Sequence, residues 1–190
     1  MSDELAAASD LARTTWPAIG SAPVVLVPIG SIEQHGPHLP LGTDSVIARA
    51  VAERAAARLP GEVLVAPAIA FGSSGEHAGF PGTVSIGRQA LHAVVVESVR
   101  SLSLWAARVV FVNGHGGNIA TLAAAIGQLR AEGHEVAWVP CAVAGGDAHA
   151  GRTETSLMLH LAPGDVLLER AVPGTTRPIA ELMPELRVGG

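Results

Sequence analysis

Four short apolar runs alternate with helical stretches along this chain, and the alternation dictates the kind of fold it can reach. The runs are Val24 to Ile29, Glu62 to Ala66, Arg108 to Asn113 and Glu135 to Cys141. Each is short, mostly β-branched and close to turn residues, as expected of a strand buried on both faces. Between them, Asp44 to Leu59, Arg88 to Ala107 and Asn118 to Glu132 read as helices. In the first of these, Val46, Ile47, Ala50 and Val51 recur at helical spacing. Thr43 or Asp44 can cap its start, and Pro60-Gly61 stops it. Strand and helix in strict order predict an α/β fold, a three-layer sandwich with a mainly parallel central sheet and helices on both faces. With 190 residues the chain suits one domain better than two, so a single domain over 1–190 is expected.

In an open sheet of this kind the loops beyond the carboxyl ends of the strands lie together, and ligands bind there. Those loops are Gly30 to Asp44, Phe71 to Thr83, Gly114 to Asn118 and Ala144 to Glu154. Six of the eight histidines fall in or beside them: His35, His38, His77, His115, His149 and His160. His92 and His134 do not. This clustering points to a site.

Composition narrows the function classes. The net charge is −5 and no stretch is strongly basic, so no nucleic-acid partner is expected. No apolar run is long enough to span a membrane, and the N-terminus lacks a signal-peptide hydrophobic region, which points to the cytoplasm. Cys141 is the single cysteine, so no disulfide framework exists. It lies in a strand and reads as core rather than nucleophile. Charged residues make up only 15%, a small share for a surface of this size, and a homo-oligomer is expected.

The first loop, GSIEQHGPHLPLGTD, holds Glu33 and His35 two residues apart, so that extended backbone turns both to one side. Asp44, at the start of the next helix, can turn back to the same point. Two carboxylates and an imidazole suit Zn, Mn or Fe(II). Taken alone, Asp44 is equally a helix cap. In FVNGHGGN, His115 sits between glycines directly after a buried strand. A phosphate loop is the rival reading there, but the spacing fits neither GxGxxG nor the Walker pattern. The last loop, AGGDAHAGRTETSLMLHL, brings Asp147, His149 and Glu154 within eight residues. Thr153 can cap a short helix running to Leu161, and Glu154 in its first turn could simply favour the helix dipole. Like charges crowded at one sheet end call for a cation. The glycine-rich loop FGSSGEHAGFPGTVS carries Glu76 and His77. It reads as a mobile substrate loop, with a plain connector as the alternative, and no metal ligand is assigned to it.

PIGSIEQHGPHLPLGTD, FGSSGEHAGFPGTVS, FVNGHGGN and DAHAGRTETSLML, in this order, resemble the creatininase family. The likeness runs from about Val24 to Leu161. It is strongest to the branch that cleaves a ribosomally made, modified precursor peptide. The resemblance implies two divalent ions per subunit (Zn, Fe(II) or Mn). Glu33, His35, Asp44, His115 and Glu154 would be their ligands, with Asp44 bridging, and His149 would be the catalytic proton-transfer residue. It implies hydrolysis of an amide bond, with release of a small C-terminal dipeptide product from the precursor peptide. The alternatives are a hydrolase of a small cyclic amide or a formamide, and a non-catalytic flavodoxin-like binding module. Creatininase itself carries an acidic residue two places after the glycine-flanked histidine, where this chain has Gly117. That departure argues against creatinine and leaves one ligand position to water or Glu154. The family usually continues beyond a sequence ending such as Leu186 to Gly190, so an incomplete C-terminal end is expected.

Overall fold

The structure, a computed structural model, describes residues 10–147, 149–175, 177 and 181. The C-terminal stretch Leu186 to Gly190, where a continuation was expected, lies outside them. Four strands, β1 (Val24–Ile29), β2 (Val63–Val65), β3 (Arg108–Asn113) and β4 (Val136–Pro140), form one sheet in the order β2-β1-β3-β4. Every neighbouring pair is parallel. Among the described residues, helices α1 (Thr43–Ala56), α2 (Gly87–Leu102), α3 (Ile119–Ala131) and α4 (Arg152–Leu161) follow the strands.

Helices cover both faces, as the alternation predicts. On one face Val25, Val27, Ile29, Val109 and Phe111 pack under α2 and α3, against Leu91, Val95, Leu122 and Leu129. On the other, Leu26, Val63, Val65 and Val112 pack under Ala52 of α1. Successive side chains of a strand point to opposite faces, so β1 must be apolar throughout to feed both layers. A smaller cluster of Leu39, Ile47 and Met158 ties α4 to α1. Among the described residues no helix is long and apolar enough to cross a membrane.

The register levels the strand ends, pairing Ile29 with Asn113 and Asn113 with Pro140. From β1 the chain moves to one side to form β2 and then to the other to form β3. The order therefore reverses between β1 and β3, the crevice where open sheets bind ligands.

Two helix starts differ from the expected caps. Neither Thr43 nor Asp44 caps α1, whose N-cap is Gly42. The Thr43 hydroxyl donates to the Pro40 carbonyl instead, and Asp44 turns inward. Thr153 does not cap α4 either, because Gly151 is the N-cap. The Asp147 carboxylate accepts the N–H groups of Arg152 and Thr153, and Thr153 Oγ1 accepts from Asp147 N. The second helix ends at Leu102 rather than Ala107, because the chain turns through Trp105 and Ala106 onto Leu102 O to enter β3.

Candidate metal centre

The loops beyond β1, β3 and β4 and the first turn of α1 meet over the β1/β3 crevice. Asp44 is 2% exposed, and its two oxygens have different partners. Oδ1 lies 3.0 Å from His35 Nε2, and Oδ2 lies 3.3 Å from His115 Nδ1. Ser31 Oγ donates to Oδ2 at 2.6 Å and holds the carboxylate in place. Glu33 Oε1 is 3.3 Å from His115 Nδ1, 3.5 Å from His77 Nε2 and 3.7 Å from His149 Nδ1. Glu154 Oε2 is 4.0 Å from His35 Nε2 and takes the N–H of Ala150, a residue in the left-handed region at φ 50°. Glycine permits a close approach in this assembly. A Cβ on Gly114 would lie 2.4 Å from the Asp44 carbonyl oxygen, so β3 meets the start of α1 only without a side chain there.

The charges are strongly coupled. Burial alone would lower the basicity of His35 and His115, but hydrogen bonds to Asp44, joined at His115 by Glu33, overcome it. They hold His35 at about 9 and His115 at about 10. Burial would raise Asp44, yet the two imidazoles keep it well below the usual carboxylate range. Glu33 is likewise lowered, because the His115 contact outweighs its burial and the Asp44 charge. Glu154 goes the other way, raised chiefly by burial. His149 is pushed down to about 4, first by burial and then by the charge on His35.

The donor set fits divalent cations. Glu33-His35-Asp44, His35-His149-Glu154 and Glu33-His77-His149 each bring three ligand atoms within 4.8 Å of one another. Glu33 Oε2 is buried without a hydrogen-bond partner, a costly state for a carboxylate oxygen unless a cation completes it. Mixed carboxylate and imidazole donors suit Zn, Mn or Fe(II).

Glu33, His35, Asp44, His115, His149 and Glu154 thus converge. His77, read from its loop as a substrate contact, also reaches Glu33 and belongs to one of the three ligand groups. Glu76 comes within 3.9 Å of the outer face of His115. His38 and His160 stay out of the cluster: His38 bonds to Thr155 Oγ1 at 2.8 Å, and His160, in the last turn of α4, lies by Arg54. Cys141 sits against the clusters under α1 and α4, its thiol pushed up to about 11 chiefly by burial. It lines a cavity of about 270 Å³ that also meets His115, Glu154, Ile119 and Val143.

Sequence reasoning missed the polar residues that brace the site. Asn118 is fully buried and joins three strand-end loops through Ser73 N, Gly30 O and Asn113 Oδ1. Gln34 Nε2 lies 3.1 Å from both His77 and His149. The available signal was an Asn at each end of the GHGG segment, Asn113 and Asn118, where loop backbone needs side-chain partners.

Residues 12–187 match the family model described as "Creatininase: Creatinine amidohydrolase". The mycofactocin precursor peptide peptidase of Mycolicibacterium smegmatis is 59% identical over 172 residues, 88% of this chain and 70% of that protein. The creatinine amidohydrolase of Pseudomonas putida is 32% identical over 193 residues, 85% of this chain and 74% of that one. A solved creatininase variant in a zinc–zinc form superposes with a TM-score of 0.73 at 31% identity, covering 90% of this chain and 80% of its own. A manganese creatininase gives the same TM-score and coverage at 30% identity.

Proposed function

The chain belongs to the creatininase family and is a hydrolase of that type, and from this premise we propose that it cleaves an amide bond near the C-terminus of a modified mycofactocin precursor peptide. Cleavage releases the C-terminal dipeptide product. The observation that carries the chemistry is the buried cluster around Asp44, with an unpaired carboxylate oxygen on Glu33. The substrate follows the name of the 59% identical relative.

Glu33, Asp44 and His115 would hold one divalent ion, and His35, Asp44 and Glu154 the other. Asp44 is common to both because its two oxygens face different imidazoles. Ions at these positions, Zn, Fe(II) or Mn, supply an activated water and Lewis acidity toward the amide carbonyl. His149 does the proton work. Burial lowers its basicity and favours the neutral ring. Its Nε2 lies 2.8 Å from the Gln34 carbonyl, which accepts the Nε2 proton and leaves Nδ1 free as a base. Nδ1 takes a proton from the attacking water and returns it to the leaving nitrogen. His77, stacked on His149 at 4.7 Å, confines that ring and contacts substrate.

The domain works as a single unit in the cytoplasm, where its lone thiol stays reduced, and as a higher-order homo-oligomer. Support for assembly comes from exposed apolar residues on and beside the edge strand β4, among them Val139, Val143 and Ile119. Light scattering coupled to size exclusion reads the subunit number.

The test is a mass measurement. Metal-loaded protein is incubated separately with the modified precursor peptide, with creatinine and with a formamide substrate. The expected outcome is loss of a C-terminal dipeptide from the peptide, abolished in Glu33→Ala and by chelation. Turnover of creatinine or formamide with the peptide left intact would overturn the peptidase reading. Binding without turnover of any of the three would leave a ligand-binding module.

A further inference from the structure

His115 has a second face that the ligand set leaves unused. Its Nδ1 looks toward Glu33 Oε1 and Asp44 Oδ2, 3.3 Å from each. Its Nε2 looks the opposite way, into the loop after β2. There it lies 3.1 Å from the Ser73 carbonyl, 3.4 Å from Ser74 Oγ and 3.9 Å from Glu76 Oε1. A proton on Nε2 is donated to Ser73 O, with the Glu76 carboxylate alongside. The Glu76 side chain is only 18% exposed, although it springs from a short surface turn at Gly75–His77.

The space it occupies is left open by Gly117. A Cβ at that position would lie 2.7 Å from Glu76 Oε1, 2.4 Å from His115 Nε2 and 2.4 Å from the Ser73 carbonyl. A side chain at 117 and the present placement of Glu76 exclude one another. Gly117 has no need of an unusual backbone angle, since its φ is not in the left-handed region. What it supplies is room.

We propose that Glu76 is a positioning residue for His115, its carboxylate lying in space that Gly117 leaves open. The proposal rests on the reading of His115 as a metal ligand through Nδ1. An imidazole that ligates through Nδ1 must carry its proton on Nε2. A carboxylate near that proton favours this tautomer, fixes the ring's orientation and strengthens Nδ1 as a donor. The role differs from the substrate contact that the Glu76 loop suggests in the sequence.

Cobalt(II) titration of the metal-free protein tests this without any turnover, because the visible absorption of bound cobalt reports its coordination. Wild type is compared with Glu76→Ala, Glu76→Gln and His115→Ala, and affinities are set by competition with a chelator. Glu76→Ala is expected to weaken one ion about 10- to 100-fold, the usual cost of losing an outer partner of a ligand, and to shift its visible band. Glu76→Gln is expected to lose less, because a polar amide still lies beside Nε2 although the charge is gone. Wild-type affinity and spectrum in Glu76→Ala, with an ion lost in His115→Ala, would overturn the proposal and leave the ligand reading standing. Full cobalt binding with an unchanged spectrum in His115→Ala would remove the ligand reading and this role together.

Discussion

Asn118 Oδ1 accepts the backbone N–H of Ser73 at 3.0 Å, joining the loop after β3 to the loop after β2. The same amide donates through Nδ2 to Gly30 O at 3.0 Å, so one buried side chain sets the spacing of three strand ends. Replacing it with Ala strands the Ser73 N–H and the Gly30 carbonyl in a buried position. The expected loss is about 1–3 kcal/mol for the unsatisfied groups, read as a lower midpoint in urea. Metal affinity should fall with it, because Ser73 O is the acceptor for His115. An unchanged midpoint would contradict the bracing role.

Metal uptake should release protons. Without metal, His35 and His115 titrate near 9 and 10 and are both protonated at pH 7. Ligation requires them neutral. About two protons per chain should therefore leave when the site fills at pH 7. Calorimetry in buffers of different ionisation enthalpy counts them. A count near zero would mean that the two imidazoles are already neutral or do not ligate.

The same groups set the pH response of the metal-free protein. His35 and His115 are raised above the unfolded value of about 6.5. The stability they contribute is complete below that pH and is lost as pH rises through 9 and 10. His149 is lowered, so its contribution is present above about 6.5 and is lost as pH falls toward 4. The joint contribution peaks near pH 6.5, and thermal unfolding of chelated protein from pH 4 to 10 should show a maximum there. A midpoint that climbs steadily to pH 9 would refute it.

Asp147 holds the start of α4, the helix that carries Glu154. Asp147→Ala removes a side-chain cap, at a cost of about 1 kcal/mol. It should also loosen Glu154, so that one ion is lost more readily than the other on dialysis. Loss of stability without a change in metal retention would confine Asp147 to helix capping.

Gly114→Ala should be more damaging than its size suggests. The added methyl meets the Asp44 carbonyl, a backbone atom that cannot swing aside. The start of α1 must shift, carrying Asp44 with it. We expect loss of both ions at concentrations that saturate wild type, while circular dichroism still reports a folded chain.

The architecture was legible because β1 and β3 are apolar on both faces and the intervening helices keep their period, so burial and sequence pattern agree. The convergence was legible too, since Glu33, His35, Asp44, His115, His149 and Glu154 all lie on the loops and helix starts that follow β1, β3 and β4. Less legible was everything settled by packing between loops. The cap of α4 comes from Asp147, and the sequence motif alone favoured Thr153, which lies nearer the helix. His38 and His77 look alike in sequence. One is drawn off by Thr155 and the other reaches Glu33, a choice made by neighbours far along the chain. The strand order, β2-β1-β3-β4, is likewise a matter of which edges meet and has no local signature.

That strand order has a consequence for how the protein is made. β1 leaves the ribosome first yet finishes as an interior strand, so one of its edges waits for β3 while the intervening chain is still being synthesised. Glu33 and Asp44 emerge early, as a pair of acids with only His35 beside them. The opposing imidazole arrives with residue 115, and the closing carboxylate with residue 154. A chain interrupted before residue 115 carries Glu33 and Asp44 without the imidazole that faces both. If these residues hold metal as proposed, a chain cut before residue 154 should hold it less tightly than one that extends past it.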